Sequence, residues 1–156
     1  GDHRDLHSFP TRRSSDLSRS VKSEISIPGK YYVIDNGLRS AVIPLQSDDD
    51  GKQLENTVYL ELIRRKGHNA ELSYFSGSGE CDFVVSEGDE VKRLIQVTWD
   101  MSDSETRTRE FSGILEAAKA TGCRDLTIVT RDEEGEEIRD GLNVKIVPVC
   151  RFLLAR

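Results

Sequence analysis

Residues 80–100 read ECDFVVSEGDEVKRLIQVTWD and decide the fold of this chain. Two apolar runs, 80–85 and 93–100, are rich in the β-branched and aromatic residues that favour strands. The polar residues 86–90 between them have the composition of a hairpin connection. We therefore predict a β-hairpin around which the rest of the domain is organised.

Three polar side chains lie within this predicted hairpin. Successive side chains of a strand point to opposite faces, so Asp82 is expected on the face opposite Cys81 and Phe83. Gln96 and Thr98 are expected to share one face of the second strand. If the register joins these two faces, a carboxylate, an amide and a hydroxyl converge. Such a cluster costs free energy unless its members are paired, so it is either a satisfied core network or a functional site.

The first helix is predicted over residues 51–66. Asp50, followed three residues later by Gln53, fits a capping box, and apolar residues recur at the spacing of one buried face. Glu55 lies beside this face, where a carboxylate can reach over the edge of a sheet. Most residues in such a position are simply half-exposed, so Glu55 is a candidate only in combination with other polar residues.

The second helix is predicted to begin with a capping box formed by Ser102 and Glu105 and to end at Gly122. Arg107 lies one turn before Phe111 and shares its inner face. This arginine could bring a positive charge to the site. The alternative is a salt bridge, which an arginine beside acidic residues on a helix usually forms.

The other elements complete a mixed order of helices and strands. Further strands are predicted at 31–35, 70–75, 126–130 and 143–149, with a short helix or turn at 38–43, a charged solvated loop at 131–141 and the start of a terminal helix at 152–154. A mixed order of this kind gives a central sheet covered by helices.

The first residues are expected to lie outside this domain. Residues 1–17 match an in-frame translation of a widely used short-read sequencing adapter, and we interpret them as a disordered assembly scar. Their three acidic and three basic residues cancel, so the rest of the chain keeps the net charge of −6. Residues 18–30 are expected to be a lead-in linker to the domain at 31–156. The true N-terminal part of the protein is expected to be missing.

Composition limits the classes of function. An acidic domain is a poor candidate for tight DNA binding without help, although local basic patches remain compatible with nucleic acid. Cys81, Cys123 and Cys150 are widely spaced in apolar surroundings and are expected to be buried, reduced thiols. No stretch has the roughly 20 apolar residues that cross a bilayer, so we expect a cytoplasmic protein. The Gly/Ser loop at 76–79 lacks the ending of a P-loop, so no ATP site is expected in this chain.

The spacing of three polar residues resembles that of a known fold. Glu55 lies on the first helix. Asp82 lies on the strand at 80–85, which is the second of the three strands between 70 and 100, and Gln96 lies on the next strand. This arrangement is similar to the restriction-endonuclease-like (PD-(D/E)xK-type) α/β fold, a central mixed sheet flanked by helices. The resemblance implies a site in which acidic residues bind Mg²⁺ or Mn²⁺ and a lysine supports the attacking water.

A closer resemblance rests on four segments. Residues 30–39 (KYYVIDNGLR), 51–56 (GKQLEN), 80–85 (ECDFVV) and 106–110 (TRTRE) look like the nuclease-like C-terminal domain of a bacterial and archaeal family of AAA-type P-loop ATPases. That domain is classed as of unknown function, and the resemblance covers roughly Tyr31 to Leu154. It implies an upstream ATPase domain and a winged-helix segment, with the ATPase domain as the partner of this one.

This chain departs from the family pattern at residues 96–98, which read QVT where the third motif would carry a carboxylate and a lysine. By resemblance, Glu55, Asp82 and Gln96 match the metal-binding positions, with Gln96 as a neutral oxygen ligand. Thr98 cannot replace an ammonium group.

Three interpretations of the polar residues remain open. In the first, which we expect, the domain is a degenerate nuclease fold that serves as a regulatory or interaction module of its ATPase, with Glu55, Asp82, Gln96 and Arg107 as a residual network. In the second, it is an active metal-dependent nuclease that hydrolyses phosphodiester bonds of DNA, with Arg107 stabilising the transition state. In the third, the cluster only specifies strand register.

Overall fold

The computed structural model of this protein describes residues 11–13, 15–16, 30–37 and 50–155. Its strands are β1 (Thr11–Arg13), β2 (Ser15–Asp16), β3 (Tyr31–Val33), β4 (Ala70–Ser76), β5 (Glu80–Glu87), β6 (Glu90–Val97), β7 (Leu126–Thr130), β8 (Gly135–Arg139) and β9 (Leu142–Pro148). The helices with described bounds are α1 (Asp50–Arg65), α2 (Ser104–Thr121) and α3 (Val149–Leu154).

Seven of these strands form one mixed sheet in the order β2-β4-β5-β6-β7-β9-β8. β4, β5 and β6 form an antiparallel meander, and the chain then passes through α2 to place β7 parallel to β6. β9 runs parallel to β7, and β8 lies at the edge, antiparallel to β9. The predicted central mixed sheet flanked by helices is confirmed.

Each face of the sheet has its own apolar core. On one face, α2 contributes Phe111 and Ile114 to a cluster with Ile128 of β7. On the other, α1, β3 and α3 pack against the sheet around Tyr59 and Phe83. A sheet covered on both faces needs nearly continuous apolar strands, and all five residues of β7 are buried accordingly.

The predicted hairpin is confirmed, but β5 contains an extra residue relative to β4. Ser73 pairs with Val84, whereas the next paired residues are Phe75 and Cys81. Two residues of β5 therefore oppose one residue of β4, which is the pattern of a β-bulge.

The bulge changes which side chains share a face. Cys81 belongs to the core beneath α2, while Phe83 belongs to the core beneath α1. The expectation that Cys81 and Phe83 lie on one face is therefore wrong, because simple alternation does not hold across a bulge. Asp82 lies at the bulge itself.

The first helix agrees with its predicted bounds and buried face. Leu54, Val58, Tyr59 and Leu62 are buried on α1. The helix begins at Asp50, so this residue is the first helical residue rather than the cap.

The ends of α2 follow the predicted signals with one change. Asp103, not Ser102, caps the helix, and its Oδ2 accepts a 2.8 Å hydrogen bond from the backbone N–H of Thr106. Asp caps as well as Ser does, and Ser102 instead donates its backbone N–H to Asp100. Gly122 ends the helix in the left-handed conformation, as predicted, with a φ of 75°.

The charged loop predicted at 131–141 is wrong in part, because residues 135–139 form β8. Asp140 and Gly141 both have positive φ, 52° and 74°, and make the two-residue turn from β8 to β9. An edge strand exposes most of its side chains, so its charges imitate those of a loop. The Asp-Gly pair is the turn signal that reveals the hairpin.

Two short strands fall within segment 1–17. β1 pairs antiparallel with β3, and β2 pairs parallel with β4. At these residues the structure differs from the disorder expected, because backbone pairing requires no apolar pattern. The rest of segment 1–17, residues 18–29 and the short helix or turn predicted at 38–43 lie outside the described residues.

Candidate functional site

The ammonium group of Lys30 lies between two carboxylates. Its Nζ is 2.5 Å from Oδ1 of Asp82 and 3.1 Å from Oε1 of Glu55. Only 22% of the Lys30 side chain, 10% of Asp82 and 24% of Glu55 are exposed. We refer to these three residues as the Lys30 cluster. It joins the residue before β3 to α1 and β5.

Tyr32 holds Glu55 from the β3 side. The tyrosine hydroxyl donates a 2.8 Å hydrogen bond to the same Glu55 oxygen that accepts from Lys30. The Tyr32 ring stacks on Tyr59, with ring centroids 4.0 Å apart and planes 12° apart. Tyr59 is one turn after Glu55 on α1, so the stack and the hydrogen bond together fix β3 along the helix.

Asn56, which is buried on α1, binds β3 as a neighbouring strand would. Its Oδ1 accepts from the backbone N–H of Val33 at 2.9 Å, and its Nδ2 donates to the Val33 carbonyl at 3.0 Å. The same Nδ2 donates to Oδ1 of Asn36 at 2.8 Å. The segment that carries Lys30 is therefore fixed against α1 by a fully used amide.

The Asp82 side chain accepts a hydrogen bond from the backbone of β6, in place of a backbone acceptor of β5. Its Oδ2 accepts a 2.8 Å hydrogen bond from the backbone N–H of Val97, while its own backbone N–H donates to Oε1 of Gln96 at 3.1 Å. Bulges commonly redirect a side chain in this way. Both carboxylate oxygens of Asp82 are thus engaged, one by the lysine and one by the backbone.

Burial and pairing shift the pKa values in this region. Burial raises the pKa of Asp82 to about 6, although the charge of Lys30 opposes the rise. Burial disfavours the charged form of Lys30, but Asp82 and Glu55 outweigh that effect and raise the Lys30 pKa above its ordinary value. Burial, with Glu55 beside it, also raises the pKa of Tyr32. Lys30 is therefore charged at neutral pH, and the Tyr32 hydroxyl is a neutral donor.

The amide oxygen of Gln96 contacts the backbone of Asp82, whereas its amide nitrogen points towards α2. Its Nε2 donates a 2.6 Å hydrogen bond to Oε2 of the buried Glu110. The other Glu110 oxygen accepts from Arg109 at 2.7 Å. The Gln96 side chain and the Asp82 carboxylate therefore bind different partners, and a shared site of the two stays a prediction.

Arg107 and Thr98 also lie apart from the Lys30 cluster in their contacts. Arg107 pairs with Glu133 at 2.7 Å and with Glu137, so it forms the salt bridge that was the alternative to a site role. The Thr98 hydroxyl is 3.4 Å from the backbone carbonyl of Asp100, to which it donates. Neither residue supplies a charge to Asp82.

As arranged, the Lys30 cluster does not fit a divalent metal. Mg²⁺ and Mn²⁺ prefer several oxygen ligands, and an ammonium group stands between the two carboxylates. The amide oxygen of Gln96 is already bonded to the Asp82 backbone. Within the described ranges, no group of three or more Asp, Glu, His or Cys side chains could hold a metal ion.

The Gly/Ser loop at 76–79 uses its backbone donors within the protein. The N–H groups of Ser78 and Gly79 donate to the Glu116 carboxylate of α2 at 2.9 Å and 2.7 Å. This carboxylate takes the place that an anion would occupy in a phosphate-binding loop.

The cysteines agree only in part with the expectation of buried thiols. Cys81 and Cys123 are free and buried, and burial raises the pKa of Cys81 to about 12. Cys150 is exposed on α3, because this short helix buries only Phe152.

Sequence reasoning missed Lys30. A cation was expected from the third motif at 96–98 or from the second helix, whereas the lysine precedes β3 by one residue. The segment 30–39, which carries the family resemblance, already contained it. A lysine that borders a strand and faces two separate acids can be recognised only when the tertiary contacts are known.

In the part of the chain that the structure describes, no helix is long and apolar enough to cross a membrane.

An uncharacterized protein of Haemophilus influenzae is 31% identical over 94 residues, which cover 60% of this chain and 22% of that protein. No solved structure matches. A family model described as "Domain of unknown function (DUF4143)" matches residues 50–152, from the start of α1 into α3. Since this match covers more than half of the chain, the protein belongs to the DUF4143 family.

Proposed function

We propose that this domain is a non-catalytic accessory module of a larger AAA-type ATP-binding protein, built on a degenerate restriction-endonuclease-like fold. The observation that carries the proposal is the position of the Lys30 ammonium, 2.5 Å from Asp82 and 3.1 Å from Glu55. An internal cation there lies between the two acids that would otherwise recruit a metal and offsets one of their two negative charges. The cluster then acts as a structural ion pair that joins β3, α1 and β5.

The third motif supports a degenerate site. Gln96 occupies the position of an acidic ligand, and its amide group is satisfied between the Asp82 backbone and Glu110. Thr98 stands where the motif would have a lysine, and its hydroxyl bonds locally. Gln96 and Thr98 are neutral where the motif has charged residues. This strand therefore lacks both the third negative ligand and the ammonium group.

The accessory role rests on domain size and on the family resemblance. The chain spans 22% of the length of its Haemophilus influenzae relative, which leaves room in that protein for other domains. The resemblance of residues 30–39 and 80–85 to the C-terminal domain of AAA-type ATPases makes the upstream ATPase domain of the same polypeptide the partner that we propose. The buried free thiols Cys81 and Cys123 suit a cytoplasmic protein.

A second candidate, a divalent-metal-dependent nuclease acting on DNA, is favoured by one observation. One lysine lies within hydrogen-bond distance of two carboxylates, and a cleft of about 250 Å³ lined by Lys30, Lys52 and Glu55 opens beside them. Lys30 would supply the ammonium that Thr98 lacks. For metal binding, however, the ammonium would have to leave the space between the acids.

A cleavage assay separates the two candidates. The purified chain is incubated with supercoiled and single-stranded DNA in Mg²⁺ or Mn²⁺, beside Asp82→Asn, Glu55→Gln and the matched control Glu61→Gln. Glu61 is also on α1 but pairs with Arg64 and Arg65. A non-catalytic module gives the same background cleavage in all four proteins. Metal-dependent cleavage that persists in Glu61→Gln and disappears in both other variants would establish the nuclease.

A further inference from the structure

β8 ends the described sheet with an unpaired edge. It is hydrogen-bonded to β9 on one side only, and the order of described strands stops at β8. Its sequence is GEEIR, and the Ile138 side chain is 77% exposed, although large apolar side chains are usually avoided at open edges. This strand is independent of the Lys30 cluster and of the function proposed for it.

The turn geometry shows which backbone groups of β8 are free. Asp140 and Gly141 have positive φ, as in a type I′ turn, so Arg139 and Leu142 form the hydrogen-bonded pair that closes the hairpin. Hydrogen-bonded and non-hydrogen-bonded pairs alternate along an antiparallel ladder. Ile138, opposite Asn143, is therefore in a non-hydrogen-bonded pair. Its N–H and C=O point away from β9, towards the open edge.

The sequence around Ile138 is complementary to itself. In an antiparallel pair of two identical strands related by a two-fold axis at Ile138, each Ile138 lies opposite the Ile138 of the second copy. Glu137 then lies opposite Arg139 of the second copy, and Arg139 lies opposite its Glu137. Opposite charges facing each other across two strands stabilise the pair, and so does an apolar contact between them.

We propose that a second copy of this chain binds at β8, so that the two seven-stranded sheets join into one through Ile138. The helix α2 packs chiefly against β5, β6 and β7 and reaches β8 through the side chains of Arg107 and Phe111. In the described sheet no strand pairs with the outer edge of β8. Glu137 and Arg139 share the face that carries Arg107, which already pairs with Glu137. The contact area of one short strand is small, so the association is weak and depends on concentration.

Disulfide trapping tests this register directly. Opposed residues of a hydrogen-bonded antiparallel pair have Cα atoms about 5.5 Å apart, within the range that a disulfide spans. Ile138→Cys, in a chain with Cys150→Ser to remove the exposed thiol, should oxidise to a covalent dimer. Glu136→Cys in the same background is the matched control, because its two copies would be more than about 10 Å apart in this register.

The proposal predicts at least about tenfold faster dimer formation by Ile138→Cys than by Glu136→Cys, as the geometry of a disulfide requires. Equal rates would overturn it. A second test needs no cysteine. Glu137→Arg alone and Arg139→Glu alone should each be monomeric in sedimentation, whereas their mixture should associate. A wild-type chain that stays monomeric up to millimolar concentration, or a mixture that does not associate, contradicts the proposal.

Discussion

Lys30 and Asp82 are 52 residues apart in sequence, yet the lysine Nζ lies 2.5 Å from a carboxylate oxygen of the aspartate. The same ammonium contacts Glu55 on α1 at 3.1 Å. One cation thus connects the segment before β3 with a helix and with the bulged strand of the sheet.

Replacing Lys30 should destabilise the fold. Lys30→Met removes the cation and leaves the buried Asp82 and the partly exposed Glu55 without their shared partner. We expect a loss of about 2–3 kcal/mol, less than for a fully buried ion pair because the cluster is partly exposed. Denaturant unfolding at pH 7 measures the loss. The matched control Lys52→Met, which changes an exposed lysine of α1 beside the same cleft, should change stability by less than about 0.5 kcal/mol. Equal losses in the two variants would show that Lys30 carries no special charge role.

Gln96→Glu restores the acid of the third motif and should destabilise the fold unless Glu110 is replaced as well. Gln96→Glu places a carboxylate 2.6 Å from a buried carboxylate oxygen, so we expect a loss of about 2–4 kcal/mol at pH 8. Gln96→Glu with Glu110→Gln restores one donor and one acceptor and should recover most of the stability. The two unfolding curves measure this difference. A double variant as unstable as Gln96→Glu would mean that the hydrogen bond between the two side chains does not decide stability.

Gly113 should be intolerant of any side chain. A Cβ built at Gly113 would overlap the backbone oxygen of Glu80, because α2 packs closely against the start of β5. We expect Gly113→Ala to cost about 1–3 kcal/mol or more through overpacking. Gly51→Ala is the helix control, since nothing lies within 4 Å of a Cβ there, and it should add about 0.5–1 kcal/mol. Thermal unfolding of the two variants should therefore shift in opposite directions.

Asp82 should make stability depend on pH in an unusual direction. Its pKa is about 6 in the folded state against 3.8 as the ordinary value, so between these pH values the folded state binds more protons than the unfolded state. The Asp82 contribution to stability is complete below pH 3.8 and declines as the pH rises through about 6. Asp82→Asn cannot titrate, so the difference between wild-type and variant stability should fall from pH 4 to pH 7. A difference that stays constant or grows over this window would contradict the raised pKa.

The local patterns of the sequence predicted most of the elements. The apolar runs of 80–100 gave the hairpin, and the left-handed Gly122 ended α2 where a helix-terminating glycine was expected. The sequence did not predict two features, β8 and the bulge at Asp82, because their local patterns are typical of other structures. β8 reads as a solvated loop because an edge strand exposes its charges, and the bulge at Asp82 leaves no trace in an alternating pattern.

The candidate site was predictable in its acids but not in its pairing. Glu55 and Asp82, on the first helix and the second strand of the meander, both contact Lys30. The partner of Gln96 is Glu110 on α2, and the cation comes from the end of segment 18–30, which was expected to be a linker. Both outcomes are set by long-range contacts, which spacing along one sequence does not encode.

A thermal-shift titration of the full chain with Mg²⁺ and Mn²⁺ tests directly whether Lys30 keeps a metal away from Glu55 and Asp82. It is run beside Asp82→Ala and a sodium chloride control of equal ionic strength. A ligand that binds only the folded state adds about 2.7 kcal/mol of stability when its free concentration is 100 times its Kd. A melting curve detects such a change easily. Because the Lys30 ammonium lies between the two acids, we predict that neither cation raises the Tm of the wild-type chain above the salt control. A saturable rise in the wild-type Tm that is absent in Asp82→Ala would contradict it and favour the nuclease.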